Sequence, residues 1–375
     1  TLKNLKHPNI DMGTRKNIYY WKCDRPSAFF AIKEGNEGNA KEVQEELEVL
    51  LTNYFGSEHF SLSSAGGQGN HLTFLASRNN ESYFVRVENG PEKDDYMEVE
   101  TTIINRVHDI GIPTPNIYAV DSSRIKYDFA WQIMENVEFS DLNKIYKSHK
   151  LQTRTVMREL GTYIARWQSI STDGFGPYNS DILRVDGRLE GLHSTYRDYY
   201  MLNIEKHFDF LVQHSFLTKE KADSFLGAVV ANLKFLDISR GCLVHKDLAL
   251  WNVLGTEDCI KAVIDWDDTI SGDPTDDISL MACFHSKEEM NALIEGYQEI
   301  KPLPENFIPR FWLHLMRNML FKAVIRVGAG YFKKDSNYFL INSGSEGGLG
   351  LHNFTLSRLE LAYEGLTELK SMDDL

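Results

Sequence analysis

Three polar side chains at fixed spacing carry the chemistry this chain can do. Asp247 and Asn252 lie five residues apart in His245-Lys246-Asp247-Leu248-Ala249-Leu250-Trp251-Asn252. Asp265 follows thirteen residues later, at the end of the apolar run Ala262-Val263-Ile264. Phosphoryl transfer needs such a set. One carboxylate orients and deprotonates the attacking hydroxyl, while an amide oxygen and a second carboxylate hold Mg²⁺, a hard ion that takes oxygen ligands. Asp and Asn also favour ordinary turns. The acid behind an apolar strand, at the right distance, separates this pattern from a chance turn.

The neighbouring elements must hold these groups. Cys242-Leu243-Val244 reads as a strand ending at the turn, followed by a short strand after Asn252 and a second strand up to Asp265. Upstream, Phe60-Ser61-Leu62-Ser63-Ser64 and His71-Leu72-Thr73-Phe74-Leu75-Ala76 form a hairpin around Ala65-Gly66-Gly67-Gln68-Gly69-Asn70. Gly66, Gly67 and Gly69, with Asn70, let backbone N–H groups approach phosphate oxygens without a Cβ clash. The third strand, Ser82-Tyr83-Phe84-Val85-Arg86-Val87, places the cation Arg86 where kinases put a phosphate-binding lysine. A helix over 94–110 carries Glu98 and Glu100, and Glu100 is the acid expected to hold Arg86. Strands over 116–120 and 129–134 complete a five-stranded sheet. The chain leaves it at Met134 and Glu135, where a hinge offers backbone groups to an adenine.

Beyond residue 140 the pattern is helical. Val156, Leu160, Tyr163, Ile164 and Trp167 make one stripe over 153–169. Further helices are expected at 193–213, 218–236, 287–299, 307–328 and 353–371, with a Ser/Asn/Gly-rich loop over 333–350. Asp277 either caps the helix it opens or bonds back to the catalytic loop. Before residue 58, residues 18–22 read as a short strand and 39–55 as a helix, a leader packing on the first lobe.

The 375 residues suit two lobes rather than one small core. Apolar content is 42% and charged content 25%, as in soluble globular proteins. No apolar run approaches a membrane span, and no signal-peptide core is seen. Cys23, Cys242, Cys259 and Cys283 have no metal-ligand spacing and read as reduced thiols of a cytoplasmic protein. The net charge of −14 argues against a nucleic-acid partner. It serves either solubility or the attraction of a cationic substrate.

Residues 245–254, Ile264-Asp265-Trp266-Asp267 and Pro274-Thr275-Asp276-Asp277-Ile278-Ser279 resemble the aminoglycoside phosphotransferase family. So do the glycine-rich loop, Phe84-Val85-Arg86, Gly111-Ile112-Pro113-Thr114-Pro115 and Gly174-Phe175-Gly176. The likeness covers roughly 60–330. It implies a two-lobed α+β protein-kinase-like fold, with a five-stranded antiparallel nucleotide-binding lobe over 59–136 and a helical lobe over 137–375; the leader over 1–58 lies outside the likeness. It implies that Asp247 is catalytic, that Asn252 and Asp265 bind Mg²⁺, and that Glu100 pairs with the strand-three cation. ATP or GTP is the donor.

Three positions depart from the family pattern. Arg86 stands where many members have Lys. Lys246 stands where Gly is common, and either contacts the γ-phosphate or points outward. Trp167-Gln168 replaces a frequent Leu-His pair. Asp265 is followed by Trp266-Asp267 rather than Phe-Gly, which argues against a protein kinase. The expected acceptor is a small hydroxyl compound bearing an amine, of aminoglycoside-like antibiotic type. Asp267, Asp268, Asp273, Asp276, Glu346 and Glu360 are candidate partners for that amine. A neutral sugar, an amino alcohol and a nucleotide-binding pseudokinase role are the alternatives.

Overall fold

The small lobe follows from period-2 strands and one turn signal. In the computed structural model, which describes residues 15–26, 40–56, 59–66, 71–340 and 347–375, β1 (Ser61–Ser64), β2 (Leu72–Arg78), β3 (Glu81–Glu88), β4 (Ile117–Asp121) and β5 (Ala130–Glu135) form one antiparallel sheet. Its order is β1-β2-β3-β5-β4. Asn79 and Asn80 adopt φ +48° and +68°, the left-handed turn that Asn tolerates and a tight hairpin requires. Of two further helices, α2 (Ala40–Phe55) lays Val43, Leu47, Leu50 and Leu51 against Phe74, Ala76, Val85, Val87 and Ile133. Phe55 completes that stripe, whereas Tyr54 is 42% exposed. Helix α3 (Tyr96–Asp109) packs on β4 and β5 and buries Glu100 completely.

The segment expected as a strand over 18–22 is instead an irregular stretch ending in a short helix, α1 (Trp21–Asp24). Its aromatic side chains seat on the helical lobe, while Arg15 just before it pairs with Asp94 of the small lobe. Tyr20 stacks on Phe321 at 4.2 Å, the Arg317 guanidinium lies 3.5 Å from the Tyr19 ring centroid, and Asp24 bonds His207 at 2.8 Å. Apolarity alone did not show which core these aromatics join.

The helical lobe comprises α4 (Leu142–Lys147), α5 (Thr153–Trp167), α6 (Ser180–Asp186), α7 (Tyr196–Tyr200), α8 (Ile204–Gln213), α9 (Lys219–Asn232), α10 (Asp276–Met281), α11 (Lys287–Ile300), α12 (Phe307–Gly328) and α13 (Gly348–Glu368). The single helix expected over 193–213 is broken between α7 and α8, where Asn203 takes φ +56°. Helices α5 and α11 touch backbone to backbone. A Cβ on Gly161 would sit 1.9 Å from Leu293 O, and one on Gly296 1.8 Å from Arg158 O. Helix α12 runs through the core with Phe311, Trp312, Leu315, Met319 and Leu320 buried.

Two small sheets flank the segment that carries Asp247 and Asn252. Strands β6 (Ser140–Asp141), β10 (Val253–Gly255) and β11 (Ile260–Val263) form one sheet. The other contains β7 (Phe175–Tyr178), β8 (Gly191–His193), β9 (Cys242–Val244) and β12 (Ile270–Gly272). Among the described residues, no helix is long and apolar enough to cross a membrane.

Candidate active site

Strand β9 ends at Val244, and the next residues turn sharply. Lys246 takes φ +69°, the left-handed region where glycine is ordinarily preferred. The turn is held from below. Asp277, at the start of α10, accepts the His245 N–H at 2.9 Å, the Lys246 N–H at 3.1 Å and Trp167 Nε1–H at 3.1 Å. Asp277 therefore bonds back to the catalytic loop, and Trp167 shares its carboxylate. Gln168 is held by Tyr297 OH and itself donates to Pro274 O, on the turn entering α10.

Asp247 and Asn252 are coupled directly. Asn252 Nδ2 donates to Asp247 O at 2.8 Å and reaches its Oδ2 at 3.3 Å. The Ile264 N–H bonds Asn252 O at 3.0 Å, tying the two loops together. Buried His245 bonds Ile264 O at 3.0 Å and packs against Trp266 at 4.5 Å. Asp265 also takes a positive φ, +64°, and lines the cleft with Asn252.

Arg86 on β3 donates to both oxygens of Glu100, at 2.6 and 2.7 Å. Glu100 also accepts the Trp266 N–H at 3.1 Å, so one buried carboxylate links β3, α3 and the Asp265 loop. Glu98 instead meets Arg184 at the surface. Arg86 Nη2 lies 3.6 Å from Asp265 Oδ1, is buried, and has no hydrogen-bond partner among the described residues.

The cleft between the lobes encloses about 300 Å³. Gly66, Arg86, Met134, Glu135, Asn252 and Asp265 line it, with Phe84, Pro115, Leu254 and Ile264 supplying an apolar end. Glu100 stands behind Arg86. The Glu135 N–H is bonded to Asn116 O at 2.8 Å, so that donor is already engaged. Gly67, Gly69 and Asn70 lie outside the described residues.

Sequence reasoning missed several residues here. His71, immediately after the glycine-rich loop, bridges Asp267 at 3.0 Å and Glu88 at 3.4 Å. Burial and Arg86 oppose its charge, but those carboxylates outweigh them and raise its pKa to about 9. Lys22 lines the same cleft; burial opposes its charge, but Asp247, Asp265 and Asp268 raise its pKa. Arg15 pairs with Asp94 at 2.6 Å and donates to Asp267 O at 2.5 Å. These cations come from segments without a local motif. His71 alone had a signal, its adjacency to the loop.

Two expectations need correction. Lys246 neither points outward nor reaches the cleft. It is 1% exposed, and its Nζ meets Asp276 at 2.7 Å, Tyr19 OH at 2.9 Å and Asn318 at 3.2 Å. The amine-binding acids are mostly committed elsewhere. Asp273 pairs with Arg310 and His314, Asp276 with Lys246, Asp267 with His71, and Glu360 with Lys221 in an exposed pair. Glu346 lies outside the described residues. Asp268 lines the cleft, yet burial and Asp267 push its carboxyl well up, toward the neutral form.

The sequence profile of the phosphotransferase enzyme family matches residues 63–305. The chain belongs to that family. No curated protein matches it in sequence. Among solved structures, a thermostable mutant of aminoglycoside phosphotransferase APH(4)-Ia without ligand is similar at TM-score 0.60, with 17% identity over 85% of this chain and 98% of that one. Another mutant of that enzyme, solved with AMP-PNP and hygromycin B, gives TM-score 0.58 and 17% identity over 84% and 97%. A protein assigned as a fructosamine-3-kinase from Haemophilus somnus 129PT gives 0.56 and 14% over 84% and 96%. At these identities the likeness establishes the protein-kinase-like fold of this phosphotransferase. Its acceptor must be argued from the site.

Proposed function

We propose that this phosphotransferase moves the γ-phosphate of ATP or GTP to a hydroxyl group of a small molecule. The observation that supports the reading is the bonding of Asp247 to Asn252, which with Asp265 lines a cleft also walled by Arg86, itself held by Glu100. Asp247, oriented by the Asn252 amide, accepts the proton of the attacking hydroxyl. Arg86, fixed by Glu100 and with a buried Nη2 that makes no hydrogen bond among the described residues, binds donor phosphate oxygens. The small-lobe end of the cleft, with Phe84, Met134 and Leu254, suits a base.

The donor set also fits Mg²⁺. Burial and the neighbouring Asp267 raise the Asp265 pKa to about 7, so this carboxylate sits among excess negative charge that a cation relieves. Asn252 and Asp265 would hold the ion, which when bound neutralises charge on the phosphates. The structure solved with AMP-PNP and hygromycin B supports a nucleotide and a small-molecule acceptor. A cationic acceptor is the expectation from net charge, but the candidate acids described above are largely paired.

A coupled assay of Mg²⁺-dependent ATP or GTP consumption over a panel of hydroxyl acceptors tests this. Turnover should require an acceptor and vanish in Asp247→Ala. Nucleotide consumption that ignores every acceptor, or survives that substitution, counts against it.

A further inference from the structure

A second cavity, of about 280 Å³, opens beside the catalytic loop on the helical-lobe side. Leu250 and Trp251 of that loop line it, and Phe284 and Phe354 add apolar walls. Arg326 is its cationic lining residue, His285 beside it is bonded to Glu289 at 3.2 Å, and no carboxylate lines it among the described residues.

Arg326 is 2% exposed. Its Nη1 donates to Thr355 Oγ1 at 2.7 Å, and among the described residues it has no carboxylate within ion-pair distance. Burial without an acid pulls its pKa down to about 10. Arg358 lies behind the wall, 9% exposed, with its guanidinium 5.2 Å from the Phe354 ring centroid. It donates to His285 O at 3.0 Å, and its Nη1 is buried with no hydrogen-bond partner among the described residues. Lys322 connects this cavity to the reaction centre. Its Nζ is 3.9 Å from Asp247 Oδ1 and 4.9 Å from the Phe284 ring centroid.

Among the described residues, buried Arg317 lies on the Tyr200 and Leu202 carbonyls and His207, but most other buried cations are matched by an acid: Arg15 with Asp94, Arg86 with Glu100, Lys246 with Asp276, Arg310 with Asp273. Arg326 and Arg358 depart from that habit. A buried, unmatched guanidinium is costly, and its planar fork suits a carboxylate or phosphate. An ammonium in the same cavity would meet no carboxylate among the described lining residues.

We propose that this cavity anchors the acceptor and selects one carrying an anionic group, carboxylate or phosphate, on an apolar or aromatic body, against amine-bearing acceptors. The proposal rests on the phosphotransferase reading and specifies its substrate class. Trp251 and Phe284 pack the body, Arg326 receives the anion with Arg358 behind it, and Lys322 stands between the anchor and Asp247.

Calorimetric titration of the full chain with benzoate, phenyl phosphate, benzamide and benzylamine tests it, because these probes share a ring and differ in charge. At least one anion should bind about tenfold more tightly than benzamide, and benzylamine more weakly still. Arg326→Gln should erase that difference while nucleotide affinity stays unchanged. Benzylamine binding as tightly as the better anion overturns the proposal. So does failure of both anions to bind at about 20 mM, near the weak limit for fragments of this size, or a charge preference that persists in Arg326→Gln. If Arg326→Gln loses nucleotide affinity by misfolding, the order of the four probes on the unaltered chain decides alone. An intact anion preference in a protein that phosphorylates no acceptor would sink the phosphotransferase reading and leave the anion site standing. Phosphorylation without that preference sinks the site alone.

Discussion

The Lys246 ammonium meets the Asp276 carboxylate at 2.7 Å, in a position where neither side chain is more than 1% exposed. Lys246 immediately precedes Asp247, and its N–H is held by Asp277, so the ion pair and the backbone bond together set where the catalytic turn lies. Removing the lysine leaves a buried carboxylate unmatched, which costs on the order of 3–5 kcal/mol. Lys246→Met should therefore lower the urea midpoint and reduce kcat, and adding Asp276→Asn should restore part of the stability. A double-mutant cycle showing independent effects would remove the pair from this account.

Asp247→Asn should lower kcat by at least about a hundredfold, the lower range for loss of a general base, with nucleotide KM nearly unchanged. Its amide keeps the shape beside Asn252. Single-turnover kinetics with the best acceptor would separate loss of chemistry from slow product release.

Glu100→Gln weakens the hold on Arg86 inside the cleft wall. A stability loss on the order of 3 kcal/mol and a raised nucleotide KM are expected. Glu98→Gln, two residues earlier, removes only a surface contact to Arg184 and should change stability by less than about 1 kcal/mol. Equal effects of the two substitutions on KM would show that the buried pair does not order the phosphate site.

Glu289 introduces a pH dependence. Burial raises its pKa, but His285, the Ser286 N–H and Tyr146 outweigh burial and bring it down to about 2. A carboxyl held below its unfolded value stabilises the fold above about pH 4.5, and that contribution fades as pH falls toward 2. Glu289→Gln should thus cost about 1–3 kcal/mol at pH 7 and clearly less at pH 3.5. Urea unfolding at the two pH values measures the difference.

The contact of α5 with α11 tolerates no added atom. Gly161→Ala should destabilise by at least about 1–3 kcal/mol, the usual range for overpacking, because its methyl group meets the Leu293 carbonyl. Gly227, with open space around its Cβ position, is the control: Gly227→Ala in helix α9 should be neutral or slightly stabilising. Thermal midpoints of the two variants suffice.

The amino-acid order alone determined the five-stranded sheet, most helices, and the set of Asp247, Asn252 and Asp265. These follow from short-range causes: period-2 and period-3.6 burial, turn residues that accept positive φ, and polar groups spaced along one loop. Glu100 could be preferred over Glu98 because its counting position on α3 is local as well. Only the tertiary structure decided where long side chains end. Lys246 turns inward because Asp276, thirty residues later, and Tyr19, from the leader, both arrive beneath it. Helix α2 of the leader packs on the small-lobe sheet, but Tyr19 and Tyr20 join the helical lobe because Arg317 and Phe321 offer them flat partners, information carried some three hundred residues away. The charge around the acceptor was least legible. A net charge of −14 counts residues, whereas binding depends on which charges remain unpaired once folding has matched the rest. Asp273 and Asp276 are neutralised inside the core, while Arg326 and Arg358 have no carboxylate within ion-pair distance among the described residues.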